Sequence, residues 1–95
     1  MRIFSSVGSF AGDKDAAAHI RESYIVRQLR LGNEVLLDFR GVELATQSFI
    51  HALIASTVRD SPEALDSIEF RHCNDEVRGV IQIVVEYAQD DLGLV

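Results

Sequence analysis

The chain has 95 residues, a formal net charge of −6 and only nine basic residues, scattered from Arg2 to Arg78. That is enough chain for one small core, so a single domain over 1–95 is expected. Nucleic acid and anionic membrane surfaces are poor partners, because phosphate binding needs clustered Lys and Arg. No apolar run reaches the ~18–20 residues that span a bilayer, Met1–Ser5 lacks the apolar core of a secretory signal, and the lone Cys73 cannot close an internal disulfide, so a cytoplasmic location is expected.

In chain order, Arg2–Val7 is short and carries Ile3 and Phe4, which predicts a first strand. Gly8, Ser9, Gly12 and Asp13 supply turn chemistry. Asp13 is placed to cap a helix that runs to about Leu31, with Gly32 as its stop. Ala17, Ile20, Tyr24 and Leu31 form one apolar stripe of that helix, and Ala18, Ile25 and Leu29 a neighbouring one. Arg21 falls between the stripes and must snorkel or find an anion.

Glu34–Phe39 reads as the second strand, with Val35-Leu36-Leu37 apolar on both faces as in a parallel sheet. A polar step, Thr46-Gln47-Ser48, precedes a helix that is apolar around most of its girth and ends near Asp60, before Ser61-Pro62. Leu65–His72 predicts the third strand, in which Ile68 and Phe70 alternate with Glu69 and Arg71. Asn74 and Asp75 can cap a last helix to about Gln89. The β-branched run 80–85 also suits a strand, but the spacing of Val77, Ile81, Val84 and Ala88 favours helix.

The expected fold is therefore α/β in the order β-α-β-α-β-α, a small, mainly parallel sheet flanked by helices. Ligands of such sheets sit beyond the carboxyl ends of the strands. Asp38, Arg40, residues 42–48 and His72-Cys73-Asn74 all belong to that end.

Val35-Leu36-Leu37-Asp38-Phe39, Gly41-Val42 and Thr46-Gln47-Ser48-Phe49, followed by Phe70, Cys73, Asn74, Val77 and Ile81, together resemble the STAS-like domains. These are relatives of the anti-sigma-factor antagonists, and the likeness is nearest to a bacterial STAS-like group of unknown function. It spans about residues 15–88 and rests on order and spacing. In the antagonists, a GHKL-type ATPase kinase phosphorylates the second serine of an Asp-Ser-Ser-Gly motif at a helix start. Thr46 stands on the Asp, Gln47 on the first Ser, Ser48 on the phosphorylated Ser and Phe49 on the Gly. The resemblance thus implies a non-catalytic signalling module whose partner is a GHKL-type ATPase or an anti-sigma-like protein, with Ser48 as a phosphorylation candidate. Asp38, Arg40, Glu43, Thr46, Gln47, Ser48 and His51 are the residues expected at the partner surface.

Blander roles stand beside these. Thr46 or Ser48 can simply cap the helix. Asp38 can pair with Arg40, with the N–H groups of the following turn or with Arg21, and Glu43 can be solvated. A Ser48–His51 hydrolase would need an orienting third group and an oxyanion hole, neither of which is visible in the sequence, so no catalytic residue is expected and His51 reads as a partly buried helix residue. His19, His51, His72 and Cys73 lack zinc-ligand spacing, Cys73 reads as a small buried hydrophobe, and Gly8 and Gly12 fit no phosphate loop. No metal or cofactor is expected. The alternative function is a small acidic immunity or antitoxin protein, whose Asp60, Glu63, Asp66, Asp75, Glu76, Glu86, Asp90 and Asp91 would cover a basic toxin.

Overall fold

The computed structural model describes residues 1–93, with side chains described through Gln89. Helix α1 (Ile3–Val7) is followed by strand β1 (Phe10–Ala11). Helix α2 covers residues 14–30, with a π-helical segment at Arg21–Ile25. Strands β2 (Val35–Asp38) and β3 (Leu44–Ala45) lead into helix α3, residues 47–60, which has its own π segment at His51–Ala55. A 3₁₀ turn (Pro62–Ser67), strand β4 (Ile68–Arg71) and helix α4 (Asp75–Gly93) complete the described chain.

Instead of the one sheet expected, the strands form two separate two-stranded parallel sheets. Strands β2 and β4 align Val35 with Ile68 and Asp38 with Arg71, and β1 and β3 align Phe10 with Leu44. On the far side of β2, Arg2 makes a parallel bridge to Asp38, and the Met1 carbonyl accepts from Asp38 N–H at 2.9 Å. The expected first strand at Arg2–Val7 is thus reduced to its opening residues. From Ile3 on the chain is helical, because Ile3 and Val7 lie one turn apart and place their side chains on the core side. The strict β-α-β-α-β-α order is corrected in the same way: a helix comes first, and β1 and β3 add a small ladder that the turn-rich segments 8–13 and 41–46 conceal.

The expected helix caps and stop are present. Asp13 caps α2, its Oδ1 accepting from Asp15 N–H at 2.9 Å and Ala16 N–H at 3.3 Å. Gly32, at φ 77°, closes it: Gly32 N–H donates to the Leu29 carbonyl and Asn33 N–H to the Gln28 carbonyl, the paired bonds of a Schellman ending. Residues 80–85 are helical, and Asn74 caps α4 through Val77 N–H at 2.8 Å. The third strand is shorter than Leu65–His72, because Pro62 starts a 3₁₀ turn that runs through Ser67.

Ala17, Ile20 and Ile25 of α2, Phe49, Ile50, Leu53 and Ile54 of α3, and Val77 and Val84 of α4 share one buried cluster with Val35, Leu37 and Phe39. Leu31, the last residue of the predicted stripe, is instead exposed. Leu36 is only half-buried, and Glu69 and Arg71 are exposed, so one face of the sheet is packed and the other is largely open. Arg21 donates from Nη1 to the Ala52 carbonyl at 2.7 Å and from Nε to Glu22 at 3.1 Å. It therefore joins the π segments of the two helices. A π turn shifts the backbone bonding by one residue, and such bulges leave carbonyls open to other donors.

Candidate functional site

The polypeptide between β2 and α3 is held on every side. Phe39 is fully buried, and Val42 N–H closes a turn onto the Phe39 carbonyl at 3.0 Å. Gly41 sits at its third position with φ 88°, where a side chain would be strained. The ring of Phe4 packs there, 2.9 Å from where a Cβ would stand. Beyond the turn, Glu43 N–H and Leu44 N–H donate to the Ser9 carbonyl, and Thr46 N–H to the Ala11 carbonyl. Asn74 completes the fixation from a third direction: its Nδ2 donates to the Glu43 carbonyl at 2.9 Å while its Oδ1 caps α4. Main-chain groups of the loop face inward, and the side chains of Glu43, Leu44, Gln47 and Ser48 are left exposed.

The helix start answers the capping question. Thr46 is the N-cap, with its Oγ1 accepting from Phe49 N–H at 3.1 Å. Ser48 is one residue inside the first turn of α3, and its Oγ lies 3.2 Å from Thr46 Oγ1. Phe49 points into the core at 0% exposure, so its bulk does not stand on the surface beside Ser48. His51 is exposed, contrary to the partly buried residue expected, because it falls on the outer face of α3; its Nε2 is 3.2 Å from Arg59 Nη2. Gln47, Ser48, His51 and Arg59 line one side of a groove of about 430 Å³, with Val84 and Tyr87 of α4 on the other.

A second cluster sits at the carboxyl ends of β2 and β4. Asp38 Oδ1 accepts from Arg40 N–H at 2.9 Å and lies 2.9 Å from His72 Nδ1. The Arg40 guanidinium reaches His72 Nε2 at 3.3 Å. Both contacts are satisfied when His72 carries its proton on Nδ1, an assignment from the hydrogen-bond pattern. The N–H of Arg40 first, and then the bond to His72, hold the Asp38 carboxyl below its ordinary range. His72 takes φ 57°, the left-handed region, and so turns the chain out of β4. Arg21 takes no part here; of the partners foreseen for Asp38, the following turn supplies the bond.

Asp38 and Arg40 thus belong with His72, whereas Thr46, Gln47, Ser48 and His51 belong to the groove, and Glu43 lies on the loop between them. The sequence hid two contributors. Asn74 reads as a helix cap, and its second bond spans 31 residues. Phe10 and Leu44, 58% and 50% exposed, are register partners on β1 and β3 and set an apolar pair beside the loop. Cys73 is half-buried rather than fully so, and burial raises its thiol pKa. Among the described residues no metal-binding group of His, Cys, Asp and Glu occurs, and no helix is long and apolar enough to cross a membrane. Asp60, Glu63, Asp66, Asp75, Glu76 and Glu86 are exposed; the side chains of Asp90 and Asp91 lie outside the described residues.

Short parallel strands, a crossover helix and hydroxyls at its start, on the carboxyl edge of the sheet, are consistent with a STAS-like α/β domain. Residues 17–78 match the family model described as STAS-like domain of unknown function (DUF4325), and the chain belongs to that family. No curated protein and no solved structure matches it.

Proposed function

We propose that the chain is a non-catalytic regulatory module that docks a protein partner through the loop after β2 and the start of α3. The observation that supports this reading is the division of labour in residues 39–48. The loop's main chain is bonded to residues 9–11 and to Asn74, while Glu43, Leu44, Gln47 and Ser48 present their side chains outward. A surface fixed before contact loses little conformational entropy on binding. Exposed Phe10 and Leu44 add apolar area beside it, and Thr46, Asp38, Arg40 and His51 frame the surface.

Ser48 is the regulated position in this reading. Thr46 already caps α3, so the Ser48 hydroxyl is not required for the helix to start. A phosphate there would add about 1.5–2 negative charges at the positive end of the helix dipole, where it is tolerated. It would repel an acidic partner surface or draw an Arg from it. The partner class is a GHKL-type ATPase or an anti-sigma-like protein.

Calorimetric titration of such an ATPase with the wild-type chain, Ser48→Ala and Ser48→Glu tests the proposal. Ser48→Ala keeps the affinity and Ser48→Glu lowers it. Equal affinities for all three would sink the switch, and insensitivity to Leu44→Asp would sink the surface itself.

A further inference from the structure

Strand β4 pairs with β2 on one side, and among the described residues no strand pairs with its other side. In a parallel ladder, alternate residues turn both main-chain groups toward the neighbour. Phe39 N–H donates to the Arg71 carbonyl at 2.8 Å. Arg71, and Glu69 two residues before it, therefore face β2. Phe70, between them, turns its N–H and C=O to the open edge. Its ring lies on the packed face, 6.5 Å from that of Phe39, beside a groove of about 420 Å³ that Leu65, Ile81 and Val85 also line. Glu69 and Arg71 occupy the opposite, open face, with Oε2 and Nη2 3.4 Å apart and more than half of each side chain exposed.

An open strand edge is a template for another strand, and proteins commonly blunt it with Lys or Pro. Here the edge carries one acid and one base, placed symmetrically about Phe70. A β4 from a second copy, running antiparallel about a two-fold axis at Phe70, would let the two Phe70 residues exchange both main-chain bonds. Glu69 would then face Arg71 of the second copy, and Arg71 would face its Glu69, in the more closely spaced kind of cross-strand pair. Moving the axis by one residue sets Glu69 against Glu69 or Arg71 against Arg71, so the charges select one register. We infer that the open edge of β4 is a self-association surface, on which a second copy of this chain adds antiparallel, centred on Phe70. The two Phe70 rings bring the apolar grooves together on the packed face, and the interface is isologous. His72, turning the chain away at φ 57°, keeps the pairing short and the dimer dissociable.

The test needs no partner protein, so its outcome is independent of the docking surface at Ser48. Sedimentation of the whole chain is followed over a concentration series up to its solubility limit. The wild type shows a reversible monomer–dimer equilibrium. Glu69→Arg and Arg71→Glu each weaken it roughly tenfold, because each change acts twice in a symmetric pair. The double charge swap, Glu69→Arg with Arg71→Glu, restores it. Circular dichroism confirms that these exposed substitutions leave the fold intact. A wild type that stays monomeric throughout, single variants that dimerise as well as the wild type, or a double variant as weak as the singles would each overturn the inference.

Discussion

His72 Nδ1 lies 2.9 Å from Asp38 Oδ1, across 34 residues of sequence, and so ties the loop after β4 to the end of β2. The same Asp38 oxygen accepts the Arg40 N–H at the entrance to the candidate surface.

The Arg40 N–H first, and then His72, make Asp38 one contributor to acid stability. Asp38 gives up its proton more readily in the folded chain than in the unfolded one. Its contribution is therefore complete above the ordinary value of 3.8 and declines as pH falls through the lower folded value. Asp38→Asn keeps the shape and an accepting oxygen but removes the charge. Urea midpoints should be lower for Asp38→Asn than for wild type at neutral pH, and the gap should narrow well below pH 3.8.

The two hydroxyls at the start of α3 should separate on substitution. Thr46→Ala removes the cap on Phe49 N–H and should cost about 1 kcal/mol in chemical denaturation. Ser48→Ala should change stability by less than about 0.5 kcal/mol, as exposed positions do. A large loss for Ser48→Ala would mean that Ser48 helps start the helix after all.

Asn74 joins an acceptor and a donor on one short side chain. Asn74→Asp keeps the cap on Val77 N–H and loses the donor to the Glu43 carbonyl. Asn74→Ala loses both, and should cost about 1–2 kcal/mol from the cap alone. Hydrogen exchange of the amides of residues 43–46 should quicken in both variants, while thermal denaturation falls mainly in Asn74→Ala.

Gly41→Ala places a methyl group where φ is 88° and the Phe4 ring is 2.9 Å away. The strain should be about 1–3 kcal/mol, and Phe4 has to shift. The expected readout is a lower melting temperature together with perturbed NMR signals of Phe4 and Arg40. Gly32→Ala, also at positive φ but with open space around it, should lack the ring perturbation.

Much of this frame was legible because local chemistry agreed with tertiary packing. Asp13 and Gly32 bracket α2, Asn74 starts α4, and the β2 and β4 segments carry β-forming residues beside turn signals. The misses have physical reasons. Ile3–Val7 is too short for periodicity to tell helix from strand, and its docking under β2 decides. The β1–β3 ladder is two residues long on each side, within turn-rich sequence. For the site, the strand edge and the polar step were readable, but the partition between Asp38–His72–Arg40 and Thr46–Ser48–His51 was not. It depends on contacts between residues more than 30 positions apart, which have no spacing signature.

The π segments at Arg21–Ile25 and His51–Ala55 have a consequence for chain length. A π turn is what a helix becomes when it absorbs one residue more than its regular count. Residues 47–50 and 56–60 are thus numbered in two different frames of one helix. Deleting a single residue between them would return the helix to its regular count and leave Thr46, Ser48 and Arg59 close to their present places, because the π turn is what takes up the extra residue. The Ala52 carbonyl, returned to an ordinary helical partner, would no longer need Arg21. One codon in α3 therefore sets the clasp that holds α2 against it, while the groove beside Ser48 keeps its wall.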